Sequence, residues 1–105
     1  MLSLPILRSL YQHALRKNSN SFIYDYAIKL MLHINEKLLQ NHLYWKYDND
    51  LLLVVSYFIA HKLYIDEYIN AKHIRRLSLF KFDVKTIIEV ENFICSLLQW
   101  HLIIA

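Results

Sequence analysis

Two charged residues stand where a charge is costly. Lys62 lies just beyond the apolar run LLLVVSYFIA (51–60), and at helical spacing it shares a face with Val55, Phe58 and Ile59. Glu91 has Ile87 and Ile88 behind it and Ile94 and Cys95 ahead, all on its own face, whereas Glu89 lies off that stripe and reads as solvated. A lone charge on an apolar face neutralises, reaches solvent or finds a partner, because burying it alone is expensive. The two charges are of opposite sign. The economical expectation is that Lys62 and Glu91 meet at one edge of the core, either as a plain ion pair or as a pair that a partner molecule covers.

Other chemistry-bearing residues point away from catalysis. The chain has no Gly, so it has no phosphate-cradling loop and no dinucleotide fingerprint. Cys95 is the single cysteine and sits mid-helix among apolar residues, the setting of a small buried hydrophobe rather than a thiolate nucleophile. His13, His33, His42, His61, His73 and His101 never fall four residues apart, and no Glu-x-x-His or Cys-x-x-Cys pattern joins them, so no metal is expected. Asp66-Glu67 is the one adjacent acid pair and reads as the close of a helix or the cap of a turn. No enzyme activity, cofactor or metal follows from the sequence.

The elements that hold these residues read as all helix. In 105 residues, 56% of them apolar, there is material for one domain with one core. Without Gly, and with Pro5 the only proline, tight β-turns are poorly supplied. Five helices are predicted, at about 5–17, 21–40, 50–63, 70–77 and 83–100. The first starts at Pro5 and carries the stripe Ile6, Leu7, Leu10, Tyr11, Ala14 and Leu15. Ser21 is the expected cap of the second, whose face runs Phe22, Ile23, Tyr26, Ala27, Leu30, Met31, Ile34 and Leu38. Asp48 or Asn49 caps the third, which is apolar nearly all round and must therefore be central. Asn70 caps the fourth. Asp83 caps the fifth, with Val84, Ile87, Ile88, Val90, Ile94, Leu97 and Leu98 inward.

Charge and length set further bounds. The net charge is +3, and the densest basic group, Lys72, Arg75, Arg76, Lys81 and Lys85, reads first as solvated surface and second as a phosphate or acidic-partner site. The longest apolar run is well short of the roughly 20 residues that a membrane span needs. Residues 1–24 carry Arg8, Arg16 and Lys17 with several Ser and no acid, which is transit-peptide-like chemistry that a first amphipathic helix explains equally. Tyr24, Tyr26, Tyr57, Trp45 and Trp100 fall on or near apolar stripes, while Tyr44-Trp45-Lys46-Tyr47 precedes a break and reads as partly exposed.

The segment from LLLVVSYFIAHK to VENFICSLLQWHL resembles a cyclin box, the five-helix module of the cyclins. The family's third helix ends in an apolar-Ile-Ala-x-Lys pattern, matched by Phe58-Ile59-Ala60-His61-Lys62. Its fifth helix carries a Glu followed by apolar steps, matched by Glu91, Ile94, Leu97, Leu98 and then Gln99-Trp100-His101-Leu102. Lys62 and Glu91 are 29 positions apart, similar to the family's spacing. MLHINEKLL (31–39) resembles the end of the family's second helix, with Asn35-Glu36-Lys37 in place of Asp-Arg-Phe.

The resemblance implies a five-helix cyclin-box bundle with its third helix central. It also implies a regulatory subunit that binds and activates a cyclin-dependent-type protein kinase by positioning the kinase's mobile regulatory helix. Carried over by position, Lys62, Glu91, Leu63, Cys95, Leu98 and Leu102 would form the kinase-binding surface. The substrate-recruiting motif of the family's first helix is not matched, since LPILRSLY (4–11) has Tyr11 in place of its Trp and Arg8 is displaced. A second reading is a cyclin-fold adaptor or transcription-related module that binds a non-kinase partner. A third is self-association through exposed apolar surface. An intracellular, reducing location, cytoplasmic or nuclear, fits the lone cysteine and the family; neither a membrane nor a nucleic-acid partner is expected.

Overall fold

The computed structural model describes residues 2–18, 21–43, 47–64 and 69–98. Over these residues the chain is all-helical, with α1 (Leu4–Asn18), α2 (Phe22–Gln40), α3 (Asn49–Tyr64), α4 (Ala71–Leu77) and α5 (Val84–Leu97). Every residue from Asp50 to His61 is buried. A helix with apolar side chains all round has no face for water, so it is stable only when neighbours cover every side. That is the observed arrangement: α3 packs against each of the other four helices, most extensively along α2. The core joins Leu10 and Ala14 of α1, Leu30 and Ile34 of α2, Leu53 and Tyr57 of α3, Ile74 of α4, and Ile87 and Ile94 of α5.

The expected stripes are mostly the buried ones. On α2, Ile23, Tyr26, Ala27, Leu30, Met31, Ile34 and Leu38 face inward, but Phe22 at its start is exposed. Tyr11 and Leu15 on α1 and Ile88 on α5 also turn outward, at the margins of their stripes, Tyr11 with its ring edge-on to Tyr24 of α2 at 5.1 Å. Helix α5 ends at Leu97, three residues before the expected boundary, and Leu98 serves as its cap. Gln99 and Trp100 lie outside the described residues, as do Tyr44, Trp45, Lys46, Asp66, Glu67 and His101.

Three helix starts are fixed by the carboxylate or amide just before them. The Asn70 side chain accepts from the His73 backbone N–H at 2.9 Å, the Asp83 carboxylate from the Thr86 N–H at 2.7 Å, and Asp48 from the Asp50 N–H at 2.9 Å. The Thr86 N–H also holds the Asp83 carboxyl below its ordinary pKa. Ser21 departs from expectation: its side chain makes no cap bond and its hydroxyl donates instead to Asp25 Oδ2 at 3.0 Å. The cap is missing because Ser21 has ψ 11° instead of the extended backbone that a capping residue takes.

Two helix ends close without glycine. At the end of α2, His42 takes φ 59°, the His42 N–H donates to Leu39 O at 3.1 Å and the Leu43 N–H to Leu38 O at 2.7 Å. At the end of α4, Leu79 takes φ 58° and Phe80 φ 62°, the Leu79 N–H donates to Arg76 O at 2.9 Å and the Phe80 N–H to Arg75 O at 3.0 Å. Both are Schellman closures, in which the left-handed position normally belongs to Gly. A non-Gly residue there is disfavoured by about 1–2 kcal/mol.

One buried carboxylate ties the N-terminal end of α3 to two distant segments. Asp50 accepts from the Ser3 backbone N–H at 2.6 Å and from Lys81 Nζ at 2.6 Å, with Asp48 3.5 Å from the same ammonium. Burial alone would push the Asp50 carboxyl up. The Lys81 hydrogen bond, the Ser3 N–H and the Lys81 charge together outweigh that and hold it below its ordinary value.

Two outcomes follow. Leu79→Gly relieves the left-handed strain at an exposed position and raises stability by about 1 kcal/mol, read as a Tm increase of roughly 4–8 °C in thermal unfolding. The depressed Asp50 carboxyl adds stability that is complete above its unfolded value of 3.8 and is lost as pH falls through the lower folded value. Asp50→Asn therefore melts well below wild type at neutral pH, and the Tm gap narrows toward about pH 3 and below.

Candidate functional site

Lys62 and Glu91 do meet. Lys62 stands in the last turn of α3, one turn beyond Phe58, and Glu91 stands mid-way along α5, one turn before Cys95. Lys62 Nζ donates to Glu91 Oε2 at 2.8 Å and lies 4.1 Å from the centroid of the Phe58 ring. The lysine stem thus runs along the apolar stripe while its head is held by a carboxylate and an aromatic face. The Lys62 side chain is 45% exposed and that of Glu91 13%. This is an edge pair, open to solvent on the lysine side.

An ammonium has three donors and a carboxylate several acceptor sites, so one mutual bond leaves each with capacity for further bonds. A docked segment could give a backbone carbonyl to Lys62 and a backbone N–H to Glu91. Cys95 lies against both charges: burial pushes its thiol above the ordinary value, the Glu91 charge adds to that, and Lys62 opposes it. A thiol so raised is a poor nucleophile.

The other expected surface residues are placed less uniformly. Leu63 is exposed beside Lys62, and the exposed Ile88 lies one turn before Glu91. Cys95 and Leu98 are each 5% exposed and belong to the core, so they offer little area of their own. Leu102 lies outside the described residues.

The basic group between α4 and α5 is partly neutralised. Lys81 pairs with Asp50 and Asp48, and Lys85 approaches Glu89 at 3.9 Å one turn along α5. Arg75 lies over the ring of the exposed Phe80, 5.2 Å from its centroid.

Sequence spacing gave no sign of a second polar cluster. His13 of α1 is buried and its ring lies 5.7 Å from His61 of α3 and 5.0 Å from His73 of α4, centroid to centroid. His13 Nδ1 and the Tyr57 hydroxyl share a hydrogen bond at 2.6 Å, the tautomer deciding which donates. Burial pushes the Tyr57 phenol far above its ordinary value. The three histidines are 48 and 12 positions apart along the chain, so only the packing of three helices reveals them. Among the described residues no three His, Cys, Asp or Glu are placed to hold a metal ion.

Comparison with family models, with curated proteins and with solved structures gave no match. Among the described residues no helix is long and apolar enough to cross a membrane. The expectation for the pair therefore rests on its own geometry. A solvent-open ion pair contributes little to stability, so Lys62→Ala should lower it by about 1 kcal/mol or less, measured by chemical denaturation. A loss of several kcal/mol would mark the pair as a support of the core rather than a surface feature.

Proposed function

We propose that this chain is a cyclin-like regulatory subunit that binds a cyclin-dependent-type protein kinase and activates it by holding its regulatory helix in the active position. One observation carries the reading: Lys62 and Glu91, on different helices, meet at 2.8 Å on a solvent-open edge of the central helix. The all-helical architecture with a third helix enclosed from Asp50 to His61 agrees with the same reading, as do the Phe58-Ile59-Ala60-His61-Lys62 ending and the sequence likeness around Glu91.

Activation of a kinase of this type requires a glutamate on its mobile helix to pair with the phosphate-binding lysine. A partner that binds only the inward position of that helix shifts the population toward the active state, and needs no catalytic group of its own. Two opposite charges anchored in a rigid core suit backbone groups at the end of such a helix. Leu63 and Ile88 supply apolar contact beside them.

The runner-up is a cyclin-fold adaptor with a non-kinase partner, and the limited area offered by Cys95 and Leu98 favours it. Nucleic acid as that partner is disfavoured, because Lys81 and Lys85 of the basic group already face carboxylates.

The deciding experiment compares wild type with the Lys62→Ala/Glu91→Ala variant as baits in cell lysate, after circular dichroism and melting show that both are folded. The expected result is a protein kinase retained by wild type and lost by the folded variant, with kinase activity in the wild-type eluate. Retention by the variant, or no kinase with either, overturns the proposal.

A further inference from the structure

The stretch Ile74-Arg75-Arg76-Leu77-Ser78-Leu79 sets a hydroxyl three and two residues after a pair of arginines, with an apolar residue directly after it. No other serine or threonine of the chain has arginine at both of those positions. A protein kinase takes its acceptor as an extended segment and selects it by the charges beside the hydroxyl. A cleft lined by carboxylates reads guanidinium groups in particular, because the two pair through matched, charge-assisted hydrogen bonds. The basic group between α4 and α5 thus holds the recognition pattern of an arginine-directed serine kinase.

In the folded chain the hydroxyl is put away. Ser78 is buried, with no exposure to solvent, and its Oγ donates to Arg75 O at 2.7 Å. Its backbone N–H donates to Ile74 O at 2.9 Å, and the Leu79 and Phe80 N–H groups complete the closure on Arg76 O and Arg75 O. Arg75 and Arg76 themselves are exposed. The closure over the serine is a strained one. Leu79 and Phe80 both stand in the left-handed region, at φ 58° and 62°, without being glycine, and both side chains already face solvent. Opening this turn releases that strain, and Leu77 is the one core side chain between Arg75 and Leu79 that must come out. Helix α4 has only seven residues with which to resist, so its last turn belongs to the low-cost end of local unfolding.

We propose that Ser78 is a latched phosphorylation site: an arginine-directed serine kinase modifies it when the end of α4 opens, and the phosphate then holds that turn open. In the step, Ser78 Oγ attacks the γ-phosphorus of ATP, and the new O–P bond forms as the bond from that phosphorus to the β–γ bridging oxygen breaks. ADP leaves with the electron pair, and the hydroxyl proton passes to the carboxylate base of the modifying kinase. The phosphate cannot take the place of the hydroxyl. As a dianion it has no hydrogen to give Arg75 O, and a group of that charge does not return to a site closed to water. Lys81, three residues along, donates to the buried Asp50, so an open turn also loosens the tie at the N-terminal end of α3.

The test incubates the whole folded chain with magnesium ATP and, as probe, the catalytic subunit of cyclic-AMP-dependent protein kinase, an arginine-directed enzyme. Mass spectrometry with fragmentation counts and places the phosphate. The expected result is one phosphate on Ser78 and none at that position in Ser78→Ala. The Arg75→Ala/Arg76→Ala variant should react roughly tenfold more slowly or worse, having lost both guanidinium contacts. Two variants outside the recognition stretch read the latch, each first shown to be folded by circular dichroism. Phe80→Gly relieves one left-handed residue and closes the turn more firmly, slowing phosphorylation by about threefold or more. Asp50→Asn releases Lys81 and speeds it. The phosphorylated chain should melt below the unmodified one. Phosphate absent from Ser78, placed only on another residue, or added as fast without the two arginines overturns the assignment. A rate unchanged in Phe80→Gly or in Asp50→Asn, or a melting point that phosphorylation leaves unchanged, overturns the latch. None of these readouts involves Lys62 or Glu91, so kinase capture through that edge is decided separately.

Discussion

The enclosure of α3 is the constraint on which the rest of the structure depends. From Asp50 to His61 no residue reaches solvent, so the chain must surround this helix or not fold. Four helices are needed to do it, and each is amphipathic because it has one side for α3 and one for water. The short α4 and the turns beside it exist to complete the ring.

The two ends of α3 handle polarity in opposite ways. At the N-terminal end Asp50 is buried and its needs are met from within the chain, by Ser3 and by Lys81. The two donors come from segments 47 and 31 positions away, so this one carboxylate gathers the start of the chain and the α4–α5 turn at a single point. At the C-terminal end Lys62 and Glu91 satisfy each other but keep capacity facing water. The first buries its carboxylate at 4% exposure and the second keeps Glu91 at 13%, while the two lysines are about equally open, at 43% and 45%.

Much of this was legible in the sequence for a common reason: it is local or periodic. Helix identity, the central place of α3 and the caps at Asn70, Asp48 and Asp83 depend on residues within a turn or two of each other. The Lys62–Glu91 contact was also foreseeable, because two isolated opposite charges on apolar stripes leave few other solutions. What could not be read depends on the fold itself. His13, Tyr57, His61 and His73 converge only when α1, α3 and α4 have packed. The Ser21 cap is absent because its backbone is not extended there, with ψ 11°. The closures at His42 and Leu79 were hidden because their usual marker, glycine, is missing from the whole chain.

A helix that is apolar all round carries a further problem, which is orientation. Leu51, Leu52, Leu53, Val54 and Val55 face every direction, and an oily cylinder could turn or slide in its sleeve at little cost, since hydrophobic contact is non-directional. Hydrogen bonds have a direction and a length, and only a few of the groups on α3 can make them. Asp50 near one end, the Tyr57 hydroxyl on His13 in the middle and Lys62 on Glu91 near the other end each hold only at one rotation and one axial position. These polar contacts act as keys in a shaft. They add modestly to the total stability, but they select one angular setting of the central helix from many that burial alone would accept.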